Sequence, residues 1–209
     1  MQPLQGIYGG TFDPIHLGHV ETVSSVLAQT NLETIRFVPA ATPPHRPVPG
    51  TSARDRLAMT RIAVQHEPRF VVDDRELHRR QPSFTSDTIR SLMMENPDSR
   101  YSLILGLDAA LGFDRWHEYQ WLLDHVHLIV MARPGWSVPD SLPLWWRERE
   151  VEEFAALEVA KAGKLWRVRI NPVDISATRI RQALKHGEDI RQWLHNGVFE
   201  YIRENRLYE

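Results

Sequence analysis

The stretch Tyr8-Gly9-Gly10-Thr11-Phe12-Asp13-Pro14-Ile15-His16-Leu17-Gly18-His19 organises the interpretation of the whole chain. The preceding residues from Leu4 to Tyr8 are mostly apolar and predict a short β-strand that enters a Gly-Gly turn. Two glycines after a strand let the backbone approach a ligand closely, because no Cβ stands in the way. The start of the next helix offers unpaired N–H groups and a positive dipole end, which attract phosphate. The stretch therefore predicts a nucleotide-phosphate site.

Two histidines of this stretch are placed to face that site. His16 and His19 are three residues apart at the start of the predicted helix, so their side chains project from the same side of it. The apolar side of the helix is formed by residues Val20, Val23, Val26 and Leu27. The spacing therefore predicts two imidazoles directed at bound phosphate.

Composition and charge exclude several classes of protein. The 209 residues are 42% hydrophobic and 25% charged, with a net charge of −2, so a protein that coats DNA or RNA is not expected. No cysteine is present, which excludes disulfides, cysteine zinc sites and thiol nucleophiles. The N-terminus lacks a signal sequence, and no apolar run approaches the roughly 18 residues of a membrane span. We therefore expect a cytoplasmic protein with neither nucleic-acid nor membrane partners.

Segments that predict strands alternate with segments that predict helices. The predicted strands are residues 4–8, 34–39, 69–74, 101–105, 127–132 and 165–170. The predicted helices are residues 17–29, 108–123, 148–160 and 176–185, and two short ones between 189 and 208. A further predicted helix is capped by Thr85 or Ser86 and runs to Met94. This alternation predicts an α/β fold: a Rossmann-like open parallel sheet with helices on both faces. We expect one domain over residues 1–209, with the helices from about 176 closing the nucleotide site.

Two further segments, the one that begins at Ser52 and residues 139–162, differ in how clearly they predict structure. Ser52 begins another helix and forms a capping-box-like pair with Asp55, and its predicted inward residues are Leu57, Ala58 and Ile62. Residues 139–162 give the weakest pattern, with Trp145 and Trp146 among charged residues. We expect an insertion or a peripheral helix there, and we expect these tryptophans to serve packing or the surface.

A second motif, Ile175-Ser176-Ala177-Thr178-Arg179-Ile180-Arg181, follows the last predicted strand. Ser176 is a favourable N-cap for the helix that follows. Arg179 and Arg181 lie in its first turns, where each cation opposes the helix dipole by about 0.3–1 kcal/mol. A bound anion would reverse that effect, so the motif predicts a second phosphate clamp. A capped helix with solvated arginines is the alternative.

Both motifs resemble those of a known superfamily. Residues Gly10 to His19 resemble, without a gap, the signature of the HxGH nucleotidyltransferases, and the second motif resembles their ISxTxxR-type motif. Ala177 stands where that motif often has serine, although a backbone N–H there can still bind phosphate. The resemblance implies the nucleotidyltransferase form of the α/β fold.

Further segments resemble bacterial nicotinate-nucleotide adenylyltransferase. These segments are Pro39-Ala40-Ala41-Thr42-Pro43-Pro44-His45-Arg46, Ser83-Phe84-Thr85-Ser86-Asp87-Thr88, Gly106-Leu107-Asp108, Trp116 and Arg133-Pro134-Gly135. Arg46 replaces the family's common lysine and Phe84 replaces its tyrosine. Each segment also has a plain structural alternative: the Pro-Pro-His-Arg loop as a stiff connection, Trp116 as a core residue, and Asp108 as a helix cap.

The resemblance implies adenylyl transfer from ATP to nicotinate mononucleotide, giving nicotinate adenine dinucleotide and pyrophosphate in the pathway to NAD. The residues implied as catalytic are His16, His19 and Arg181. Those implied for ATP are Gly9, Gly10, Thr11, Phe12, His16, His19, Gly106, Asp108, Ile175, Ser176, Thr178 and Arg181. Those implied for the acceptor are Pro39, His45, Arg46, Thr85, Trp116 and Arg133.

Magnesium is the expected cofactor, with Mg²⁺ arriving on ATP and bound mainly through it. We expect no metal site of the protein's own, since His16 and His19 lack third and fourth ligands at recognisable spacing. Three alternatives stay open: an adenylyltransferase with another acceptor (nicotinamide mononucleotide, phosphopantetheine or FMN), a non-enzymatic nucleotide-sensing module, and a scaffold protein. The oligomeric state stays open as well.

Overall fold

The computed structural model describes residues 2–41, 50–79, 83–132, 141–171 and 173–208. The strands in these residues are β1 (Leu4–Gly10), β2 (Thr34–Pro39), β3 (Phe70–Val72), β4 (Arg100–Gly106), β5 (His127–Ala132), β6 (Glu150–Val151) and β7 (Leu165–Arg169). The helices are α1 (Leu17–Ala28), α2 (Ala53–Val64), α3 (Thr85–Glu95), α4 (Leu107–Leu111), α5 (Tyr119–His125), α6 (Leu144–Arg149), α7 (Ala155–Val159), α8 (Ala177–Lys185) and α9 (Asn196–Glu204). Three-residue and four-residue 3₁₀ helices cover Arg75–His78, Phe113–Arg115 and Arg191–Trp193.

The described strands form a sheet in the order β3-β2-β1-β4-β5-β7-β6. The pairs β1–β4, β4–β5, β5–β7 and β6–β7 are parallel, with Leu103 opposite Leu128 at the centre. The order places β1 between β2 and β4, where an open α/β sheet reverses its direction of winding. The predicted fold class, a Rossmann-like parallel sheet flanked by helices, is confirmed.

The described chain divides into two compact units, each assembled from separate segments. The first unit comprises Met1–Tyr8, Ser25–Ile35 and Phe84–Pro172. Its core contains strands β4 and β5, whose side chains are buried along nearly their whole length because both faces are covered. Gly6 of β1 permits the close packing of this core, since a Cβ there would lie only 2.8 Å from Ile104 Cδ1.

The second unit comprises Gly9–Ser24, Arg36–Ser83 and Val173–Glu209. Helices α2 and α9 pack closely in it: a Cβ on Gly197 would lie 2.7 Å from Ile62 Cγ2. The Tyr201 hydroxyl of α9 also donates a 2.9 Å hydrogen bond to Asp55 Oδ1 of α2. The single domain over residues 1–209 stays a prediction.

The predicted caps of three helices have different outcomes. Ser52 Oγ accepts from Asp55 N at 3.1 Å, and Ser176 Oγ accepts from Arg179 N at 3.2 Å, so both predicted N-caps are confirmed. The cap predicted for α3 is wrong, because Phe84 occupies the N-cap position and makes no side-chain cap bond.

The predicted inward face of α2 is wrong as well. The buried residues of this helix are Arg56, Met59, Thr60, Ala63 and Val64, whereas Leu57, Ala58 and Ile62 are only half-buried. Arg56 is a core residue because its guanidinium binds three backbone carbonyls, and its spacing to the buried Met59 and Ala63 is helical.

Two predicted helices are shorter than expected. Residues 108–123 form α4, a 3₁₀ helix and α5, because the chain turns at Gly112 and Glu118 has a left-handed backbone with a φ of 53°. Residues 148–160 do not form one helix, since Glu150–Val151 pairs with β7 as strand β6. Sheet pairing therefore overrides the helical spacing of that stretch. No helix in the described ranges is long and apolar enough to span a membrane.

Candidate active site

The histidine turn, residues 9–19, connects β1 to α1 and lies in the second unit. Phe12 is 2% exposed and has a φ of 50°, a left-handed conformation that is uncommon for a bulky residue. A Cβ on Gly10 would lie 2.6 Å from the Phe12 ring, so the second glycine makes room for this aromatic side chain. The Gly10 carbonyl accepts from Ala40 N at 2.8 Å, and the Asp13–Pro14 peptide bond is cis.

The two histidines of the turn lie against each other. Their ring centroids are 3.7 Å apart in a stacked arrangement, and His16 is 6% exposed while His19 is half-buried. His16 N donates to His19 Nδ1 at 3.3 Å. Because His19 Nδ1 acts as an acceptor, a neutral His19 carries its proton on Nε2. His19 is therefore a hydrogen-bond donor on the edge of its ring opposite the backbone.

The second motif, residues 175–181, reaches the histidine turn directly. Arg181 Nη1 donates to the Asp13 carbonyl at 2.6 Å, which joins residues that are 168 positions apart in the sequence. A Cβ on Gly18 would lie 3.5 Å from the Ile175 Cβ, so backbone and side chain also approach each other there. The two motifs that the sequence singled out are thus in contact within one compact unit.

The two arginines of the second motif have different surroundings. Arg181 contacts the turn and also donates to Thr178 Oγ1 at 3.4 Å. The Arg179 guanidinium instead lies 4.8 Å from the Trp193 ring centroid and 3.9 Å from Asp174 Oδ2. Arg181 is therefore the arginine of this pair that can act together with the histidines.

Asp13 is a buried centre of hydrogen bonds that sequence reasoning did not select. It is 5% exposed and accepts from Gly50 N at 2.7 Å, Thr51 Oγ1 at 2.7 Å and the Tyr208 hydroxyl at 2.8 Å. These donors come from segments far from Asp13 in the chain, so no local sequence pattern predicts their contacts with Asp13. The position of Asp13 inside the conspicuous turn was the one available signal.

Arg56 is the second residue that sequence reasoning missed. It is 1% exposed and donates to the carbonyls of Thr11 at 2.7 Å, Ala40 at 2.6 Å and Ala41 at 3.0 Å. Burial lowers the pKa of Arg56, while the negative charge of Asp13 acts in the opposite direction. Arg56 thus fixes the backbone of the turn, and its helical spacing to the buried Met59 and Ala63 was a readable signal.

Comparison with known proteins shows the family of this chain. The model of the cytidylyltransferase-like family matches residues 7–183. A protein of Aeromonas hydrophila named "probable nicotinate-nucleotide adenylyltransferase" is 40% identical over 210 residues, covering 100% of this chain and 98% of that one. A protein of the same name from Pseudomonas putida is 42% identical over 206 residues, covering 97% of this chain and 94% of that one. The chain belongs to the nicotinate-nucleotide adenylyltransferase family.

A solved structure gives the same fold. Plasmodium falciparum nicotinic acid mononucleotide adenylyltransferase, complexed with NaAD, aligns with a TM-score of 0.76. The alignment covers 99% of this chain and 97% of that chain at 21% sequence identity. The predicted family is therefore confirmed by the relatives, and the predicted nucleotidyltransferase fold by this likeness.

The other binding residues that the family resemblance implies belong to both units. In the second unit, Gly9 is exposed, Thr11 is half-buried and Pro39 is buried at the end of β2. In the first unit, Gly106 is exposed with nothing within 4 Å of a Cβ built on it, and Asp108 is exposed. His45, Arg46 and Arg133 lie outside the described residues. The binding roles of all these residues stay predictions.

Two of the plain alternatives are wrong. Asp108 is not a helix cap, because Gly106 holds the N-cap position of α4 and Asp108 lies in the first turn. Trp116 is not a core residue, since it is only half-buried and its ring lies 5.0 Å from that of the fully buried Phe113. By contrast, the expectation that Trp145 and Trp146 serve packing or the surface is confirmed: Trp146 is fully buried, and the ring of the half-buried Trp145 lies 5.8 Å from that of Phe113.

Proposed function

We propose that this chain transfers the adenylyl group of ATP to nicotinate mononucleotide, giving nicotinate adenine dinucleotide and pyrophosphate. The observation that carries the proposal is the contact between the two phosphate motifs, in which Arg181 binds the turn that presents His16 and His19. The activity named for the relatives is the one that the sequence predicted, and their similarity covers almost the whole chain.

The reaction requires no nucleophile from the protein. A phosphate oxygen of nicotinate mononucleotide attacks the α-phosphorus of ATP in line, and the bond from that phosphorus to the bridging oxygen breaks as pyrophosphate leaves. The attacking oxygen is already anionic, so the protein contributes position and charge stabilisation. Stacked imidazoles and a guanidinium suit this task, because both groups donate hydrogen bonds to phosphate oxygens.

We assign roles in the second unit from these contacts. His19 Nε2–H donates to a phosphate oxygen at the α- or β-position in the transition state, and His16 supports the same charge. Arg181, Ser176 and Thr178 bind the β- and γ-phosphates together with N–H groups at the start of α8. Gly9, Gly10, Thr11 and Phe12 supply backbone contacts to ATP, as the family resemblance implies.

The pyridine ring of the acceptor is proposed to contact two residues of the first unit. Nicotinate carries a carboxylate where nicotinamide carries an amide, so a site that offers only N–H donors favours the acid. Thr85 begins helix α3, whose positive dipole end favours an anion, and Trp116 offers a half-buried ring for stacking. These two residues are our candidates for the pyridine pocket.

We propose that Mg²⁺ binds mainly through the phosphates of ATP, since Mg²⁺ favours phosphate oxygens and retained waters. Among residues 2–41, 50–79, 83–132, 141–171 and 173–208, no group of three or more His, Asp or Glu side chains is placed to hold a metal ion. The cytoplasmic location also stays a prediction.

Pyrophosphate release with a panel of acceptors tests the proposal. The purified chain is given ATP, Mg²⁺ and one acceptor at a time: nicotinate mononucleotide, nicotinamide mononucleotide, phosphopantetheine or FMN. We expect the highest kcat/KM with nicotinate mononucleotide, and the product identified as nicotinate adenine dinucleotide. A higher kcat/KM with another acceptor would show that this other compound is the substrate. ATP binding without pyrophosphate release in the presence of any acceptor would favour a nucleotide-sensing module.

A further inference from the structure

Tyr208, in the turn that follows α9, contacts the histidine turn although no sequence motif includes it. Its hydroxyl donates to Asp13 Oδ1 at 2.8 Å and lies 3.4 Å from Thr51 Oγ1. Its ring packs beside Gly50, because a Cβ on Gly50 would lie 3.7 Å from the ring. Burial, together with the nearby charge of Asp13, raises the pKa of Tyr208. The phenol is therefore a hydrogen-bond donor at any physiological pH.

Asp13 links Tyr208 to the candidate catalytic groups. One of its carboxylate oxygens accepts from Tyr208 and Thr51, while its own backbone carbonyl accepts from Arg181. Asp13 also precedes His16 by three residues in a turn where Phe12 has a left-handed backbone. Such a conformation is uncommon for this residue type, so surrounding contacts must hold it.

We infer that Tyr208 is a positioning residue for adenylyl transfer, which holds Asp13 and thereby the turn that presents His16, His19 and the Arg181-binding carbonyl. The inference rests on the proposed function for the reaction it names. We assign Tyr208 no contact with a reacting atom. Its effect is geometric, and a small misplacement of catalytic groups is enough to slow a reaction considerably.

The chain offers a matched control for this residue. Tyr201 of α9 also donates its hydroxyl to a carboxylate, Asp55 Oδ1, at 2.9 Å within the same unit. Asp55 lies at the start of α2 and contacts Ser52, outside the histidine turn. Replacing either tyrosine by phenylalanine removes one hydroxyl and one Tyr–Asp hydrogen bond, so the two variants lose the same kind of contact at different carboxylates.

The experiment compares Tyr208→Phe with Tyr201→Phe in the 209-residue chain. We expect Tyr208→Phe to lower kcat roughly tenfold at saturating ATP and nicotinate mononucleotide, with each KM within about twofold of the wild type. Tyr201→Phe should keep the wild-type kcat. A wild-type kcat in Tyr208→Phe, or equal losses in both variants, would overturn the inference.

Two further measurements separate this inference from the proposed function. The side-chain resonances of isotope-labelled His16 and His19 should shift in Tyr208→Phe and not in Tyr201→Phe, whatever acceptor the enzyme uses. Unchanged histidine resonances in Tyr208→Phe would count against positioning even if activity fell. In addition, Tyr208→Phe should have no further effect on kcat in an Asp13→Ala background, whereas an additive loss would show that Tyr208 acts by another route.

Discussion

The histidine turn and the centre of the first unit both bury polar groups, but they satisfy them differently. Asp13 of the turn and Arg56 of α2, which binds the Thr11 carbonyl of the turn, are almost inaccessible, and each makes three hydrogen bonds to backbone or hydroxyl groups. In the first unit, strands β4 and β5 bury mainly apolar side chains, and His127 is a fully buried titratable group among them. His127 Nδ1 accepts from Lys164 N at 3.2 Å.

This difference indicates what each region contributes. A buried charge is costly unless several partners bind it, so the hydrogen bonds that Asp13 and Arg56 make at the turn favour one backbone geometry there. The apolar strands of the first unit instead provide stability that depends on packing and on keeping His127 neutral. We therefore expect substitutions in the turn to alter catalysis most, and substitutions in the first unit to alter stability or acceptor binding.

The largest expected effect concerns the chemistry of the turn. His19→Ala should lower kcat at least a hundredfold, with a modest loss of ATP binding, because one hydrogen-bond donor to the transition state is removed. Steady-state kinetics and equilibrium ATP binding measure the two quantities. His66→Ala, at an exposed histidine of the same unit, is the control and should leave both unchanged. Near-normal turnover in His19→Ala would remove this imidazole from the chemistry.

The next-largest effect tests whether the buried imidazole of His127, in the first unit, is neutral. Burial lowers the pKa of His127 to about 4 from its ordinary 6.5, and the charges of Arg100 and Lys164 act in the same direction. Between these pH values the unfolded chain binds a proton at His127 that the folded chain does not. The free energy of unfolding should therefore fall as the pH decreases from 6.5 to about 4, by up to roughly 3 kcal/mol from this residue.

Urea unfolding at a series of pH values measures that change. His127→Gln removes the titrating group and should show a weaker loss of stability over the same pH range, even if its stability at neutral pH is lower. Parallel pH profiles for the wild type and His127→Gln would show that other groups cause the acid sensitivity.

A smaller effect tests the close packing of the turn. Gly10→Ala places a methyl group 2.6 Å from the Phe12 ring, so the ring must move, and we expect a loss of about 1–3 kcal/mol in the free energy of unfolding. Gly106→Ala is the control for the added methyl group, because alanine can adopt its backbone φ of −68° and nothing lies within 4 Å of the added Cβ; only its N-cap position in α4 should lower stability slightly. Equal stability of the two variants would contradict the packing argument.

The smallest effect concerns the proposed pyridine pocket of the first unit. Trp116→Ala should raise the KM for nicotinate mononucleotide at least tenfold, or about 1.4 kcal/mol, because the stacking surface is lost. Trp121→Ala is the control, since Trp121 stacks on His125 and lies under Arg90 instead. An unchanged KM in Trp116→Ala would place the pyridine ring elsewhere.

Sequence patterns predicted the elements whose signals are local. Strands β2 and β5 have the predicted bounds, and the caps at Ser52 and Ser176 were predicted from side-chain chemistry alone. Patterns failed where tertiary contacts compete with local preference: β6 became a strand through pairing with β7, and Arg56 became a core residue through three backbone carbonyls.

The amino-acid sequence by itself determined the α/β class, the family, and the two motifs at residues 9–19 and 175–181, because these depend on short-range spacing and residue type. The tertiary structure alone decided which arginine of the second motif reaches the histidine turn and which tyrosine holds Asp13. Those contacts join residues 168 and 195 positions apart. Such distant pairs form only when the chain has folded, and nothing in the local sequence around either partner specifies the other.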